Sequence, residues 1–294
     1  MSQNVAVIGL GSMGYGMALS ALREGNRVWG QDISPKRKAE FVVEGGETTP
    51  LPDSLDVVMV VVLNSAQTEE VLFGEDGIAA KLRKGAVVLG CATVAPEFAK
   101  DMEARCNAMG ILYLDAPISG GAGKAALGQL SVMASGSQDA FDAARPILAS
   151  VSETVFELGD HAGPGSAMKA VNQLLAGVHI AAMAEALTFG MTQGVQPNQF
   201  VDVISKCAGS SWMLENRAPH IVDGDYSPRS QVAIWPKDLG IVLDIAKTTG
   251  FDAPITQSAL AQFKAAADMG LSGEDDAAVA KTYARQAGLT LPGE

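Results

Sequence analysis

A short apolar run followed by a glycine pattern constrains the fold of this chain more than any other feature. Residues 5–10 are apolar, glycines stand at positions 9, 11 and 14, and a helical pattern continues to Glu24. Glycines with this spacing between a strand and a helix permit a tight turn, close backbone approach to a ligand and close packing of the helix. The free N–H groups at the start of such a helix attract an anion. The segment therefore predicts the first unit of a parallel sheet, with room for a pyrophosphate at the turn.

Short apolar runs continue to alternate with helix-sized segments through the first half of the chain. They lie at residues 5–10, 27–31, 57–63, 86–89 and 111–115, with 130–134 as a sixth candidate. Strands this apolar are typical of a parallel sheet covered by helices on both faces. We therefore predict an α/β fold class, with a doubly wound Rossmann domain at residues 1–163.

The character of the sequence changes after residue 163. Residues 165–194 are rich in Ala, Met and Leu without a strand-like run, and helical periodicity returns at 199–206, 238–248 and 256–267. We predict an all-α C-terminal domain at residues 164–294, which includes a long interdomain helix at about 165–194. The acidic residues 274–276 are interpreted as a helix start, where the helix dipole favours negative charge.

Charge and cysteine content narrow the class of partner. The chain has 33 acidic and 21 basic residues and a formal net charge of -12, so we expect neither a nucleic-acid nor a membrane partner, but a small molecule. Three cysteines, at positions 91, 106 and 207, have no zinc-site spacing and are odd in number, which favours the reducing cytoplasm. The longest apolar run, residues 57–63, is too short to span a membrane, and we expect no targeting segment.

An acidic residue after the second predicted strand points to the cofactor. Asp32 follows Gly9 by 23 residues, near the spacing of a carboxylate that binds the ribose of a dinucleotide. Because a carboxylate repels a 2′-phosphate, NAD is favoured over NADP. The nearby Lys36 and Arg37 are interpreted as a solvated helix face. The predicted cofactor contacts are Gly9, Leu10, Gly11, Ser12, Met13, Gly14, Asp32, Leu63 and Asn64.

Two later segments carry polar residues suited to a substrate. In Asp-Ala-Pro-Ile-Ser-Gly-Gly at 115–121, a predicted strand ends in a turn that exposes backbone N–H groups beside a hydroxyl. Such a turn can bind a carboxylate, although Ser-Gly-Gly alone also fits an ordinary turn. The predicted carboxylate contacts are Ser119, Gly120 and Gly121.

The second segment, residues 163–173, begins the long apolar helix. Lys169, Asn172 and Gln173 stand at i, i+3 and i+4 and share one helix face. Ala176 and Gly177 follow on that face, and their small side chains are expected to leave room for a ligand. The helix is apolar on nearly all sides, which predicts burial, and a buried lysine needs an anionic partner or a chemical role.

These motifs together resemble the β-hydroxyacid dehydrogenases. The resemblance rests on Gly-Leu-Gly-Ser-Met-Gly, Asp32, residues 115–121, residues 163–173 and Lys237-Asp238-Leu239, and it covers essentially the whole chain. It implies a small hydroxy acid as substrate, NAD or NADP as cofactor, and an active site between a Rossmann domain and an all-α domain. It also implies roles for single residues: Lys169 as the catalytic lysine, Asn172 as the residue that orients the substrate, Lys237 as a second lysine near nicotinamide and substrate, and Thr93 as a cofactor contact.

The chain departs from the family pattern in one segment and resembles a particular subgroup of the family in another. Residues 90–93 read Gly-Cys-Ala-Thr where the family commonly has Asp-x-Ser-Thr. Residues 210–217 and 224–226 are similar to family members that oxidise four-carbon sugar acids such as L-threonate. 3-Hydroxyisobutyrate and the tartronate and succinic semialdehydes stay open as alternatives. Ser211 and Trp235 are candidates to line the substrate pocket, while Trp212 and Trp235 fit core positions equally well.

The resemblance also implies the chemistry: Lys169 accepts the hydroxyl proton during oxidation and returns it during reduction. A metal site is disfavoured because His161, His179 and His220 lack ligand spacing, and a serine hydrolase is disfavoured because no Gly-x-Ser-x-Gly is present. A non-catalytic, cofactor-binding scaffold is the remaining alternative. The apolar surface of residues 165–194 predicts a homodimer or homotetramer.

Overall fold

Five parallel strands form the central sheet of the N-terminal unit in the computed structural model, which describes residues 2–294. The strands are β1 (Asn4–Ile8), β2 (Arg27–Gln31), β3 (Val57–Val60), β4 (Val87–Gly90) and β5 (Leu112–Asp115). Their order is β2-β1-β3-β4-β5, so the strand order reverses at β1. A reversal of this kind opens a crevice at the carboxyl ends of the strands, where the glycine-rich turn follows β1.

Both faces of this sheet are buried, because alternate residues of each strand enter different apolar clusters. Val5 and Val7 of β1 belong to one cluster, together with Val57 and Met59. Ala6, between them, belongs to the other cluster. Helices cover the two faces: α1 (Ser12–Arg23), α2 (Pro35–Val43), α3 (Ser65–Phe73), α4 (Pro96–Ala108), α5 (Gly121–Leu127) and α6 (Gln138–Val151), with a 3-10 turn at Ala79–Lys81. The predicted doubly wound fold is confirmed.

A second, three-stranded sheet follows, which the sequence did not predict. It contains β6 (Ile118–Ser119), β7 (Leu130–Ala134) and β8 (Ser152–Glu157), with β6 antiparallel and β8 parallel to β7. The run at 130–134 is thus a strand, but it was wrongly placed in the parallel sheet. An isolated antiparallel bridge between Asp115 and Ser135 joins the end of β5 to the residue after β7.

Helices build the C-terminal unit. They are α7 (Pro164–Thr192), α8 (Pro197–Ile204), α9 (Trp212–Asp223), α10 (Ile234–Thr249), α11 (Pro254–Asp268) and α12 (Ala280–Gln286), with a 3-10 turn at Asp276–Val279. By its contacts the chain divides into two compact units, Met1–Lys169 and Ala170–Glu294. The first turn of α7 therefore falls in the N-terminal unit.

The structure of the C-terminal unit shows which of two tryptophans, Trp212 and Trp235, lies in the core. Trp235 is 3% exposed, and its ring stacks on Phe263 at a centroid distance of 5.4 Å, so it is a core aromatic. Trp212 is 55% exposed, and the core interpretation of that residue was wrong. The acidic run does begin a helical turn, because the Asp275 side chain accepts a hydrogen bond from the N–H of Ala277, but Asp275 and Asp276 are both fully buried. Their partners are His220 and Arg217 respectively.

Length and composition set α7 apart from the other helices. Its 29 residues include an 18-residue window with a mean hydropathy of 1.5, and 39% of that window is buried. By length and composition alone this helix is able to cross a membrane, but core helices pass the same test. Its exposed apolar side chains include Val171, Leu175 and Phe189.

Candidate active site

The glycine-rich turn after β1 has the close packing that its sequence predicts. Gly9 has a φ of +99°, and a Cβ at this position would lie 2.2 Å from the Val61 carbonyl oxygen. A Cβ on Gly14 would lie 1.9 Å from the Gly9 carbonyl oxygen, so α1 approaches the turn as only a glycine allows. A Cβ on Gly11 meets nothing within 4 Å, and no side chain caps the N-terminus of α1, which the structure describes in full. This end of α1 therefore has space and N–H groups for an anionic group of a dinucleotide.

Asp32 connects this turn to the start of α2 by two hydrogen bonds. One of its carboxylate oxygens accepts a hydrogen bond from the N–H of Leu10 at 2.7 Å, and the other accepts one from the N–H of Ser34 at 2.7 Å. Each oxygen keeps a second lone pair, so the carboxylate can still accept a hydrogen bond from a ribose hydroxyl. Asp32 is half-buried at the carboxyl end of β2, where an acidic residue recognises the ribose in this fold.

The two cations beside Asp32 have partners of their own. Lys36 and Arg37 both pair with Glu40, at 3.8 Å and 3.1 Å, and the Arg37 guanidinium also lies 5.3 Å from the Tyr15 ring centroid. Both cations are exposed on α2. This environment agrees with a solvated helix face.

The other predicted cofactor contacts of the N-terminal unit follow neighbouring strands. Leu63 is 52% exposed, and its N–H donates to the Gln67 side chain at 2.9 Å. The Asn64 side chain caps α3 by accepting from the N–H of Gln67 at 2.9 Å. Thr93 is half-buried in the loop between β4 and α4, and Ser12 and Met13 open α1. All of these belong to the N-terminal unit.

A tyrosine explains the departure at residues 90–93. A Cβ built on Gly90 would lie 2.1 Å from the Tyr113 hydroxyl oxygen. Tyr113 is 2% exposed on β5, and its side chain fills the space that an aspartate at position 90 needs. Cys91 is also buried, and burial raises the pKa of its thiol to about 12. The departure from the family pattern at position 90 therefore has a steric reason.

The Ser-Gly-Gly turn follows the short strand β6. Ser119 ends this strand, and Gly120 and Gly121 have φ angles of +135° and +77°. Residues with side chains rarely adopt such angles, so both glycines are required by the backbone and not only by a ligand. The turn leads directly into α5.

Lys169 lies against this turn. It is 7% exposed in the first part of α7, and its Nζ donates a hydrogen bond to the Ile118 carbonyl oxygen at 2.8 Å. Ile118 immediately precedes Ser119. The structure therefore brings together the predicted catalytic lysine and the predicted carboxylate-binding turn, within one unit.

A second group of predicted residues is connected within the C-terminal unit. The Asn172 amide donates to the Gln173 side chain at 2.9 Å, and the Gln173 amide donates to Asp238 at 2.5 Å. Lys237 forms an ion pair with the other oxygen of Asp238, which is 2% exposed. One buried carboxylate thus connects Lys237 to the amide residues of α7.

Two expectations about the substrate pocket change. Gly177 does not leave room for a ligand, because a Cβ there would lie 2.8 Å from Leu239 and 2.9 Å from Trp235, both on α10. Trp235 is buried in the core of the C-terminal unit, and its indole N–H donates to Asp276 at 3.0 Å, so its polar atom is already hydrogen-bonded within the protein. The Ser211 hydroxyl caps α9 by accepting from the N–H of Leu214 at 3.1 Å, so a contact of Ser211 with substrate stays a prediction.

Two buried aspartates are part of these groups although the sequence did not single them out. Asp238 joins Gln173 to Lys237, and Asp115 binds the start of α7. Burial raises the pKa of Asp115, and hydrogen bonds from Ser166, Gly163 and Ser135 offset part of that rise. Asp238 directly follows Lys237, and Asp115 begins the motif at 115–121. These positions were the only sequence signals that could have pointed to the two aspartates.

Known protein families match both parts of the chain. Residues 4–159 match the NAD-binding domain of 6-phosphogluconate dehydrogenase, and residues 163–283 match the NAD-binding domain family of NADP-dependent 3-hydroxyisobutyrate dehydrogenase. The chain belongs to the 3-hydroxyisobutyrate dehydrogenase-like family. It is therefore an oxidoreductase of the NAD(P)-dependent hydroxyacid dehydrogenase type, as the motifs implied.

Individual relatives in the 3-hydroxyisobutyrate dehydrogenase-like family extend over the whole chain. An L-threonate dehydrogenase of Cupriavidus necator is 47% identical over 100% of this chain and 99% of its own length. An L-threonate dehydrogenase of Escherichia coli K12 is 43% identical over 99% of this chain and 97% of its own. A crystal structure described as 3-hydroxyisobutyrate dehydrogenase from Salmonella typhimurium is 43% identical and has a TM-score of 0.90, covering 96% of this chain and 100% of that one.

Proposed function

We propose that Lys169 exchanges a proton with the hydroxyl of a small hydroxy acid while the acid is oxidised with NAD. The observation that carries this proposal is the position of the Lys169 amine. It is 7% exposed and 2.8 Å from the carbonyl oxygen that precedes the Ser-Gly-Gly turn. A carboxylate bound at that turn places the rest of a small hydroxy acid within reach of the amine.

The roles proposed for the neighbouring residues combine their chemistry with what the family resemblance implies. Ser119, Gly120 and Gly121 bind the substrate carboxylate through the hydroxyl and backbone N–H groups, and Asn172 and Gln173 orient the substrate with Lys237 and Ser211 as further contacts. When bound, NAD supplies the acceptor for the hydride that leaves the carbinol carbon. As a neutral amine Lys169 would have a lone pair for the hydroxyl proton, while one N–H donates to the Ile118 carbonyl and holds the amine beside the turn.

NAD is the proposed cofactor, in preference to NADP. The Asp32 carboxylate, which accepts from the N–H groups of Leu10 and Ser34, would accept a hydrogen bond from the ribose of NAD and would repel a 2′-phosphate. The proposed contacts are Gly9, Leu10, Gly11, Ser12, Met13, Gly14, Asp32, Leu63, Asn64, Thr93 and Lys237.

A four-carbon sugar acid such as L-threonate is the proposed substrate. Support comes from five relatives named L-threonate dehydrogenase, which are 42–47% identical over at least 98% of this chain. A 3-hydroxyisobutyrate dehydrogenase of Pseudomonas aeruginosa is 32% identical and supports the alternative substrate less strongly.

Initial rates of NADH formation at 340 nm test the substrate. The panel is L-threonate, erythronate, glycerate, 3-hydroxyisobutyrate and 4-hydroxybutyrate, each with NAD and with NADP. L-Threonate with NAD is expected to have the highest kcat/KM. A flat trace with every acid in the panel refutes the proposed substrate and its alternatives in the panel.

Lys169→Ala tests the mechanism. A general acid-base group contributes about 10²–10⁴-fold, and kcat is expected to fall by at least that range while NADH binding, followed by fluorescence, persists. Turnover near that of the wild type contradicts the assignment of Lys169.

We further propose a homodimer or homotetramer that works in the cytoplasm without nucleic acid or membrane. Exposed apolar side chains on α7, among them Val171, Leu175 and Phe189, favour coverage by a second copy. Light scattering is expected to report an oligomer that Phe189→Asp weakens, and a monomeric wild type at micromolar concentration refutes the oligomer.

The division of the chain into domains between residues 163 and 164 also stays a prediction.

A further inference from the structure

The buried carboxylate of Asp115 binds the first turn of α7. Asp115 is 1% exposed at the end of β5. Its Oδ2 accepts hydrogen bonds from the N–H groups of Gly163 at 3.0 Å and Ser166 at 2.8 Å. Its Oδ1 accepts one from the Ser166 hydroxyl at 2.7 Å. The carboxylate therefore holds both the residue before the helix and a residue of its first turn.

Ser135 completes this attachment. Its hydroxyl donates to Asp115 Oδ2 at 3.4 Å and accepts from the N–H of Gly165 at 2.9 Å. The first N–H groups of a helix have no partner inside the helix. In α7, Pro164 has no N–H, and those of Gly165 and Ser166 end on the buried side chains of Ser135 and Asp115.

The backbone leaves little freedom at this contact. A Cβ on Gly165 would lie 2.4 Å from the Met133 carbonyl oxygen and 2.9 Å from the Asp115 carbonyl oxygen. The N–H of Asp115 donates to the Ser135 carbonyl at 3.0 Å, and the N–H of Ser135 donates back at 2.8 Å. The start of α7 is thus bound where the two sheets of the N-terminal unit meet.

The same chain segment contacts α7 at a second point. Ile118 is three residues after Asp115, and its carbonyl oxygen accepts the hydrogen bond from Lys169. Lys169 is three residues after Ser166, so these two residues lie on one face of the helix. Rotation or sliding of the first turn therefore moves the lysine amine relative to the turn at Ser119.

We propose that Asp115 is a positioning residue, which holds the first turn of α7 so that the Lys169 amine stays aligned with the substrate turn. The inference rests on the proposed role of Lys169. An asparagine weakens this attachment, because it carries no charge. Its single oxygen must serve the N–H groups of Gly163 and Ser166, and its amide group is left to face the Ser166 hydroxyl, which must turn to accept. Misplacement of a reacting group by about 1 Å can cost about 10²-fold in rate.

Asp115→Asn tests this proposal through separate measurements of kcat, KM and Tm. We expect kcat to fall by about 10- to 10²-fold, with KM for L-threonate and NAD within about threefold of the wild type. Asp275→Asn is the matched control, because Asp275 is also fully buried and also accepts a backbone N–H. It is expected to lower Tm and leave kcat unchanged. A wild-type kcat in folded Asp115→Asn overturns the proposal.

A second pair of variants covers the case in which Asp115→Asn fails to fold. Ser166→Ala removes one hydroxyl and keeps the backbone contact, so kcat is expected to fall several-fold, while Ser166→Thr retains the hydroxyl and the rate. Equal rates in Ser166→Ala and the wild type overturn the proposal in that case.

A double-mutant cycle separates this proposal from the proposed function. Once Lys169 is replaced by alanine, Asp115→Asn should lower the residual rate no further, because the group that it positions is gone. A further loss of the same size shows that Asp115 acts independently of Lys169 and overturns the positioning role. High activity in Lys169→Ala alone contradicts the proposed function instead.

Discussion

Replacement of Asp32 by alanine is expected to weaken NAD binding and to relax the choice between NAD and NADP. In the proposed complex the carboxylate accepts a hydrogen bond from the ribose, and a hydrogen bond to a charged group contributes about 1.5–3 kcal/mol. Its loss corresponds to an increase of about 10- to 10²-fold in KM for NAD. KM for NADP should fall, because the repulsion of its 2′-phosphate is removed.

The same substitution also has a cost in stability. The Asp32 oxygens accept from the N–H groups of Leu10 and Ser34 at 2.7 Å, and Leu10 is fully buried. A buried N–H that loses its acceptor costs about 1–3 kcal/mol. Asp32→Ala should therefore lower Tm by several degrees, whereas Asp32→Asn keeps one acceptor oxygen and should lower it less.

Initial rates at 340 nm with each cofactor, together with thermal unfolding, measure both effects. Lys36→Ala is the control, because Lys36 is exposed beside Asp32 and should leave the ratio of kcat/KM for the two cofactors unchanged. The reasoning is refuted if the wild type prefers NADP, or if Asp32→Ala binds NAD within twofold of the wild type.

Two further predictions concern packing and acid stability. Gly14→Ala should lower Tm strongly, because its Cβ would lie 1.9 Å from the Gly9 carbonyl oxygen. Gly11→Ala, where a Cβ meets nothing within 4 Å, should keep Tm nearly unchanged and raise KM for NAD. Equal losses of Tm in the two variants contradict this prediction. Burial raises the pKa of Asp275, but hydrogen bonds from His220, Arg229 and Ala277 outweigh that effect and hold the pKa below its usual value. The ionised carboxylate thus stabilises the fold above the unfolded value of about 3.9, and this contribution is lost as pH falls through the folded pKa. Acid unfolding followed by circular dichroism should show a shallower loss in Asp275→Asn than in the wild type, and parallel curves contradict the assignment.

The sequence predicted elements whose pattern is local. The five parallel strands and the glycine-rich turn were found because apolar runs and glycine spacing are visible within about ten residues. The strand β8 was missed because its residues are mostly exposed and lack an apolar run. The helix α9 was missed because Pro219 lies inside it and its apolar face is short.

The candidate site was predicted only in part, because motifs are local while the contacts between them join distant segments of the chain. Motifs singled out Lys169 and the turn at 119–121, yet the sequence could not show that the amine donates to the Ile118 carbonyl. Asp115 was noted as the start of the motif at 115–121 but given no role, since its contact with Ser166 joins residues far apart in the chain. The expectation of space at Gly177 was wrong because the side chains that fill this space come from α10, far along the chain.

The contact between Gly90 and Tyr113 restricts how this chain can change. A carboxylate at position 90 collides with the tyrosine hydroxyl, and a smaller residue at position 113 alone leaves a void in the sheet layer. Each single replacement is therefore unfavourable, so the two positions are expected to vary jointly among close homologues. An engineer who wishes to restore the aspartate must exchange both residues at once.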